Sequence, residues 1–232
     1  SAEYAFNDRS QSRIDTDFKD LDLSKLAAVQ SGRVMPLSGK TTGDAHLVFQ
    51  GSDYRTTSGT LNFDVTATAG TAERGLVPIN GNVQLTADKG LFEVAKARLF
   101  TEKSELTAGG RFDLRNNDSN LNLAIKSDDA SEIRRIVGVT GISPDLDTQM
   151  TNMEAEFGGA LRFDGMVTGD LLDPVVNGHF SVDTVMLRQR VVGSVSLDIT
   201  RNPAEIILAN GELKEPGGGT AEFASTIPYG GK

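Results

Sequence analysis

Apolar and polar residues alternate along most of this chain, most clearly between residues 158 and 199. The segments 160–164, 176–183 and 195–200 each show the alternation, and Asp173-Pro174 interrupts it between the first two. A two-residue period places alternate side chains on opposite faces of a β-strand. The pattern therefore predicts strands with one apolar face and one polar face.

The same alternation recurs along the rest of the chain, and residues that favour turns (Gly, Asn and Asp) separate its runs. The predicted strands are 14–23, 45–50, 59–68, 79–86, 91–100, 105–114, 121–126, 154–169, 175–187, 191–200, 204–213 and 220–225. Short strands at regular spacing with local connections are typical of an antiparallel meander. We therefore predict an all-β fold built on a mainly antiparallel sheet.

Two short segments depart from this pattern and carry apolar residues at helical spacing. One follows Asp22 and predicts a helix near 24–30, and the other predicts a helix near 129–137. A polar residue suited to helix capping precedes each of them. Residues 32–43 and 142–152 contain Pro or Gly and are predicted to be loops.

The two helical segments also mark an internal repeat of the order strand, short helix, loop and several strands. The similar segments are 22–29 with 129–136, 47–51 with 161–165, and 59–64 with 178–183. Repetition of this kind indicates units that stack on one another. We predict two β-groove repeats, residues 1–118 and 119–232, which form one continuous structural domain.

A sheet of this size has to cover its apolar face, and it can close into a barrel, pair with a second sheet or curl into a trough. The two helices are too short to cover it, and the inward positions are mainly aliphatic, which favours an elongated, curled sheet with a hydrophobic groove. The same residues would also suit an ordinary core, and a one-residue shift would exchange the faces. The predicted inward residues are Val83, Leu85, Leu106, Phe112, Leu121, Leu123, Leu161, Phe163, Phe180, Val182, Val195, Leu197, Ile199, Ile206 and Leu208.

Composition narrows the classes of partner. The 232 residues carry a formal net charge of −9 and include no Cys and no Trp. The negative charge disfavours nucleic acid and anionic membrane surfaces. The lack of Cys excludes disulfides but fits either the cytosol or the periplasm. No stretch approaches the length of a membrane span. Because the chain starts at Ser1 without a Met or a signal peptide and ends in Gly230-Gly231-Lys232, we expect a piece of a longer protein.

The side chains that usually perform chemistry form no recognisable site in the sequence. The two histidines, His46 and His179, lie in different repeats, and solvent-facing strand positions explain them better than zinc ligation does. The acidic residues between 15 and 22, and those at 128–129, do not have the spacing of a calcium-binding loop. We predict no metal site and no cofactor. No nucleotide-binding loop, serine-hydrolase motif or nucleophile–base pair is apparent, so we predict that the protein is not an enzyme.

Several of these runs resemble the TamB and AsmA-like family of envelope proteins. In that family a strand and turn of the pattern G-x-x-x-G-x-x-x-x-P lead to a G-x-F strand, and residues 165–174 and 178–180 follow this order. Residues 106–114, the strand at 121–126 and residues 209–213 are also similar to the family, so the resemblance covers nearly the whole chain. Its motifs are degenerate β-repeats without invariant chemical residues.

The resemblance implies a repeating β-groove in the periplasm, within a protein anchored in the inner membrane by a helix outside this sequence. It also implies that the groove carries phospholipid towards the outer membrane, in connection with outer-membrane protein assembly and a TamA-type barrel partner. The inward residues would then bind lipid acyl chains. One alternative is a protein-interaction module that adds a strand of its partner to a sheet edge. Another is a structural β-solenoid spacer.

Overall fold

The computed structural model describes residues 2–3, 10–23, 37–69, 76–140, 154–170 and 173–228, with residues 137–140 described by their backbone alone. Its strands are β1 (Ala2–Glu3), β2 (Gln11–Asp22), β3 (Leu37–Ser38), β4 (Lys40–Gln50), β5 (Asp53–Thr66), β6 (Val77–Pro78), β7 (Asn80–Asp88), β8 (Leu91–Phe100), β9 (Ser104–Asp113), β10 (Asp118–Ser127), β11 (Ala155–Thr168), β12 (Val175–Leu187), β13 (Arg190–Arg201), β14 (Glu205–Lys214) and β15 (Thr220–Pro228). Helix α1 spans Ala130–Thr140.

The strands other than β3 and β6 belong to one sheet in which they are ordered as in the chain, from β1 to β15. The sheet is antiparallel and open, as expected for strands joined by local connections. The predicted all-β fold with a large antiparallel sheet is therefore confirmed. The small pair β3–β6 is parallel, with Leu37 opposite Val77.

Helix α1 confirms the helix predicted near 129–137, whereas the helix predicted near 24–30 and the loop predicted at 142–152 lie outside the described residues. The prediction of a loop at 32–43 was wrong for its last residues, because β4 already begins at Lys40. Gly43, which was predicted to be a loop residue, lies within β4, where the neighbouring backbone comes too close for a side chain. A Cβ on Gly43 would lie 2.0 Å from the carbonyl oxygen of Asn62 on the neighbouring strand.

The structure divides into two compact units. Unit 1 contains residues 1–101 and 107–121, and unit 2 contains residues 102–106 and 122–232. The two repeats predicted from the sequence, residues 1–118 and 119–232, stay a prediction.

In unit 1, strand β5 carries the centre of the apolar face. Leu61 lies opposite Ala45 of β4 and Leu85 of β7, while Phe63 lies opposite Val83. At the end of this face Val65 is buried, and the segment that follows β3 packs closely against it, because a Cβ on Gly39 would lie 2.8 Å from Cγ1 of Val65. One end of the unit 1 face is therefore covered by its own chain.

In unit 2, helix α1 packs on strand β11 and covers part of the apolar face. Ala130, Leu161 and Val182 are fully or almost fully buried, and a shell of partly buried apolar side chains surrounds them. The shell consists of Ile125, Ile133, Phe157, Phe180, Val185 and Val195. The core of unit 2 therefore lies between α1 and the middle of the sheet.

The position of α1 is fixed at its first turn. Asp129 caps the helix, because its Oδ1 accepts hydrogen bonds from the backbone N–H and the hydroxyl of Ser131 at 3.1 and 2.6 Å. Lys103 Nζ lies 2.9 Å from the other carboxylate oxygen. The hydrogen bonds from Ser131, followed by the one from Lys103, lower the pKa of Asp129 to about 2.

Candidate functional site

The structure brings most of the predicted inward residues of unit 2 onto one sheet face. Leu161 of β11 lies opposite Val182 of β12, which in turn lies opposite Val195 of β13. The next row contains Phe163, Phe180 and Leu197. In a third row Ile199 lies opposite Leu208, and two residues further along the strands Arg201 lies opposite Ile206. Residues distant in sequence thus form one continuous apolar face, which we call the unit 2 face.

A bulge keeps this face continuous on β14. Between the pairs Ser196–Glu212 and Asp198–Ala209, β13 has one residue and β14 has two, and Asn210 in this bulge has a φ of 51°. The extra residue reverses the alternation along β14, so Leu213 shares the face with Leu208 although their numbers differ in parity. The Asn210-Gly211 pair inside a predicted strand is the sequence signal for this bulge.

Sequence reasoning missed several members of the unit 2 face, among them Leu213, Phe223 and Ile227. Leu213 lies opposite Val195, and the last strand adds Phe223 opposite Gly211 and Ile227 opposite Ile206. The ring of Phe223 covers Gly211, since a Cβ there would lie 2.6 Å from the ring. Extending the two-residue alternation from Phe223 to Ile227 would have indicated the last two of them.

Burial divides the unit 2 face into two parts. Leu161, Val182 and Leu197 are only 4%, 2% and 7% exposed, so these side chains are core. Phe163, Ile199, Ile206 and Leu208 are partly exposed on the same face. An apolar ligand would therefore meet this second group, which we call the open row.

Phe163 shapes the open row because its ring lies over two glycines. A Cβ placed on Gly165 or on Gly178 would come within 2.6 Å of the ring. These glycines lie opposite each other on β11 and β12, so the ring covers a stretch of backbone that has no side chains of its own. The result is a flat apolar surface.

The other predicted inward residues are divided between the units. Val83, Leu85, Phe112 and Leu121 belong to unit 1, where the Phe112 ring stacks on Phe92 with 4.9 Å between centroids. Leu106 and Leu123 belong to unit 2. All six side chains are partly buried.

Unit 1 also contains an open cavity of about 310 Å³ that the sequence did not indicate. It lies where β2, β4 and β5 run side by side, and Gly59, which lies opposite Leu47, contributes no side chain to its wall. Its lining residues are Arg13, Ile14, Asp15, His46, Leu47, Val48, Ser58 and Gly59.

The opposite, polar faces carry both histidines, and their predicted solvent exposure is confirmed. In unit 1, His46 Nδ1 contacts Asp15 Oδ1, and His46 Nε2 lies 3.7 Å from Asp44 Oδ2. The hydrogen bond to Asp15 raises the pKa of His46 and lowers the pKa of Asp15. This pair is thus biased towards its charged form.

In unit 2, His179 lies between a carboxylate and a hydroxyl. His179 Nδ1 donates to Asp198 Oδ1 at 2.8 Å, and Nε2 lies 3.1 Å from Ser196 Oγ. Asn210 Nδ2 donates to Asp198 Oδ2 at 2.7 Å, and this bond, followed by the one from His179, lowers the pKa of Asp198. Antiparallel pairing therefore joins a hydroxyl and an imidazole that are 17 positions apart in the chain, a contact that no local motif indicated.

The Ser196–His179–Asp198 cluster has the order of contacts found in serine hydrolases, but its surroundings differ from theirs. All three side chains lie on an open strand surface, and the imidazole is 57% exposed. Strand β13 is paired on both sides at Ser196 and Asp198, which commits their backbone N–H groups to the sheet. At these two residues the backbone provides no free donor for an oxyanion, which acyl transfer requires.

Comparisons of the chain with protein-family models, with curated proteins and with solved structures find no match. Within the described segments, no helix has the length and apolar character needed to cross a bilayer.

Proposed function

We propose that this protein is a non-enzymatic lipid carrier in which phospholipid acyl chains lie against the apolar sheet faces. The observation that carries the proposal is the open row of unit 2, where Phe163, Ile199, Ile206 and Leu208 are only partly buried on a continuous apolar face. Each methylene group that leaves water for such a surface contributes about 0.8 kcal/mol.

The chemistry of the open row suits sliding more than fixed binding. Its side chains are aliphatic or aromatic and offer no hydrogen bonds that would hold an acyl chain in one register. His179 and Asp198 lie on the other face of the sheet, whereas Arg201 lies opposite Ile206 at the end of the apolar face, where its guanidinium pairs with Asp173. A lipid headgroup would therefore remain in solvent at the margin of the apolar face.

The cellular setting of the proposal comes from the sequence resemblance to TamB and AsmA-like proteins. It comprises a periplasmic location, a parent protein anchored in the inner membrane, a contribution to outer-membrane biogenesis and a TamA-type partner. Phospholipid is the proposed ligand.

Photocrosslinking from single sites tests the proposal. We expect probes at Phe163 and Ile199 to capture phospholipid when the protein is purified from a diderm bacterium, and a probe at His179 on the polar face to capture none. Native mass spectrometry with lipid extraction would identify the ligand. Protein without phospholipid, or equal capture from His179, would contradict the proposal.

A matched pair of charged variants separates loss of binding from loss of folding. Ile199→Asp places a carboxylate in the open row, whereas Thr200→Asp places the same charge one residue further on the polar face. Since a carboxylate is costly to desolvate, we expect only Ile199→Asp to lose bound lipid while both variants keep their β-sheet circular dichroism. Equal lipid occupancy in the two variants would count against the open row as the binding surface.

A further inference from the structure

Arg201 places a positive charge on the unit 2 face, at the end where strand β13 finishes. It lies opposite Val176 of β12 and Ile206 of β14. The same row continues to Val167 of β11 and Ile227 of β15, so aliphatic residues flank Arg201 on both sides. Because directly opposed residues in an antiparallel pair point to the same face, the guanidinium borders the open row.

The guanidinium is held by the two residues that precede β12. Its Nη1 donates a hydrogen bond to the carbonyl oxygen of Pro174, and its Nη2 lies 2.7 Å from Oδ1 of Asp173. The side chain of Asp173 is 50% exposed and that of Arg201 is 32% exposed. An ion pair this accessible to water is weak, so another anion can replace Asp173 while Pro174 still orients the guanidinium.

We propose that Arg201 binds the phosphate of a phospholipid whose acyl chains lie on the open row, an inference that rests on the proposed lipid-carrying function. A guanidinium carries five N–H donors in a planar arrangement that matches phosphate oxygens, and it stays charged at all physiological pH values. Ile199 of the open row is two residues before Arg201 on β13, a distance of about 7 Å along the strand. The acyl chains of a lipid with its phosphate at Arg201 would therefore begin on the open row.

This arrangement predicts which lipids the open row prefers. Its apolar side chains contact acyl chains without regard to the headgroup, so they hold a diacylglycerol and a phospholipid of equal chain length alike. Only the phosphate gains the charge-assisted hydrogen bonds of Arg201. Asp173 opposes this gain, because its carboxylate competes for the same guanidinium and repels the phosphate.

Isothermal titration calorimetry tests the proposal with dioctanoyl phosphatidylglycerol and dioctanoylglycerol, each below its critical micelle concentration. We expect Arg201→Gln to weaken the binding of phosphatidylglycerol by about tenfold and to leave the binding of dioctanoylglycerol unchanged. Arg201→Lys should have an intermediate effect, because an ammonium keeps the charge but loses the planar pair of donors. Asp173→Asn should strengthen the binding of phosphatidylglycerol by about two- to fivefold.

Matched controls remove the effect of net charge. Arg162 and Asp164 are exposed on the polar face, so Arg162→Gln and Asp164→Asn make the same charge changes there and should leave both affinities unchanged. Equal phosphatidylglycerol affinity in Arg201→Gln and Arg162→Gln would overturn the phosphate site and leave the lipid-carrying function standing. Equal weakening of both lipids by Arg201→Gln would also overturn it, because a merely structural guanidinium gives that result. If the unaltered protein binds neither lipid, both proposals fail.

Discussion

Replacing Leu161 by alanine removes three carbon groups from the core of unit 2, where Leu161 is 4% exposed and packs with Ala130 of helix α1 and Val182 of β12. At about 0.8 kcal/mol for each buried carbon group, the transfer part of the cost is about 2.4 kcal/mol. The cavity left between the helix and the sheet raises the expected loss of unfolding free energy to between about 2.5 and 5 kcal/mol.

Urea unfolding followed by far-ultraviolet circular dichroism would measure this loss. Because the structure contains two compact units, one unfolding curve does not report on unit 2 alone, and amide hydrogen exchange of residues 130–136 should be followed as well. We expect faster exchange in α1, since Leu161 is part of the surface on which the helix packs. Val191→Ala is the matched control: Val191 is 55% exposed, and its loss should cost less than about 0.5 kcal/mol.

A loss below about 1 kcal/mol for Leu161→Ala, with unchanged exchange in α1, would refute this reasoning. It would mean that the helix does not depend on this side chain and that Leu161 is not part of a well-packed core.

Two further predictions concern the glycines and the histidines. Gly178→Ala should lower the melting temperature of the protein, because the new Cβ would lie 2.6 Å from the Phe163 ring. Gly217→Ala is the control and should leave the melting temperature unchanged, because a Cβ on Gly217 meets nothing within 4 Å. Equal melting temperatures of the two variants would contradict this prediction. The His46–Asp15 pair should contribute most between about pH 3.8 and 6.5, the ordinary pKa values of the two groups. Its contribution is lost below this range as Asp15 gains a proton and above it as His46 loses one. In a nuclear magnetic resonance titration, Asp15→Asn should lower the pKa of His46, and an unchanged value would show that Asp15 is not the cause.

Alternation in the sequence was enough to predict most strands. Strands β8 and β12 have the predicted bounds Leu91–Phe100 and Val175–Leu187, because in both a two-residue period ends at residues that favour turns. Helix α1 was predicted because its apolar residues have helical spacing after a capping Asp129. These features depend on neighbours in the chain, so the sequence carries them locally.

The bulges were harder to predict, because each depends on the register between two strands. Asn210 adds a residue to β14, and Gly159 with Ala160 adds one to β11, so the residues on one face cannot be counted by parity alone. Ile206 and Leu208 nevertheless lie on the predicted face, because both precede the bulge on β14.

Only the tertiary structure decided which apolar residues are covered and which polar residues meet. Helix α1 packs over Leu161 and Val182 and leaves Ile199 partly exposed, although all three residues have the same strand pattern. Pairing of β12 with β13 brings Ser196 to His179, a contact that local spacing does not reveal. The sequence by itself therefore determined the strands and their two kinds of face, while burial and side-chain contacts were decided by long-range pairing and packing.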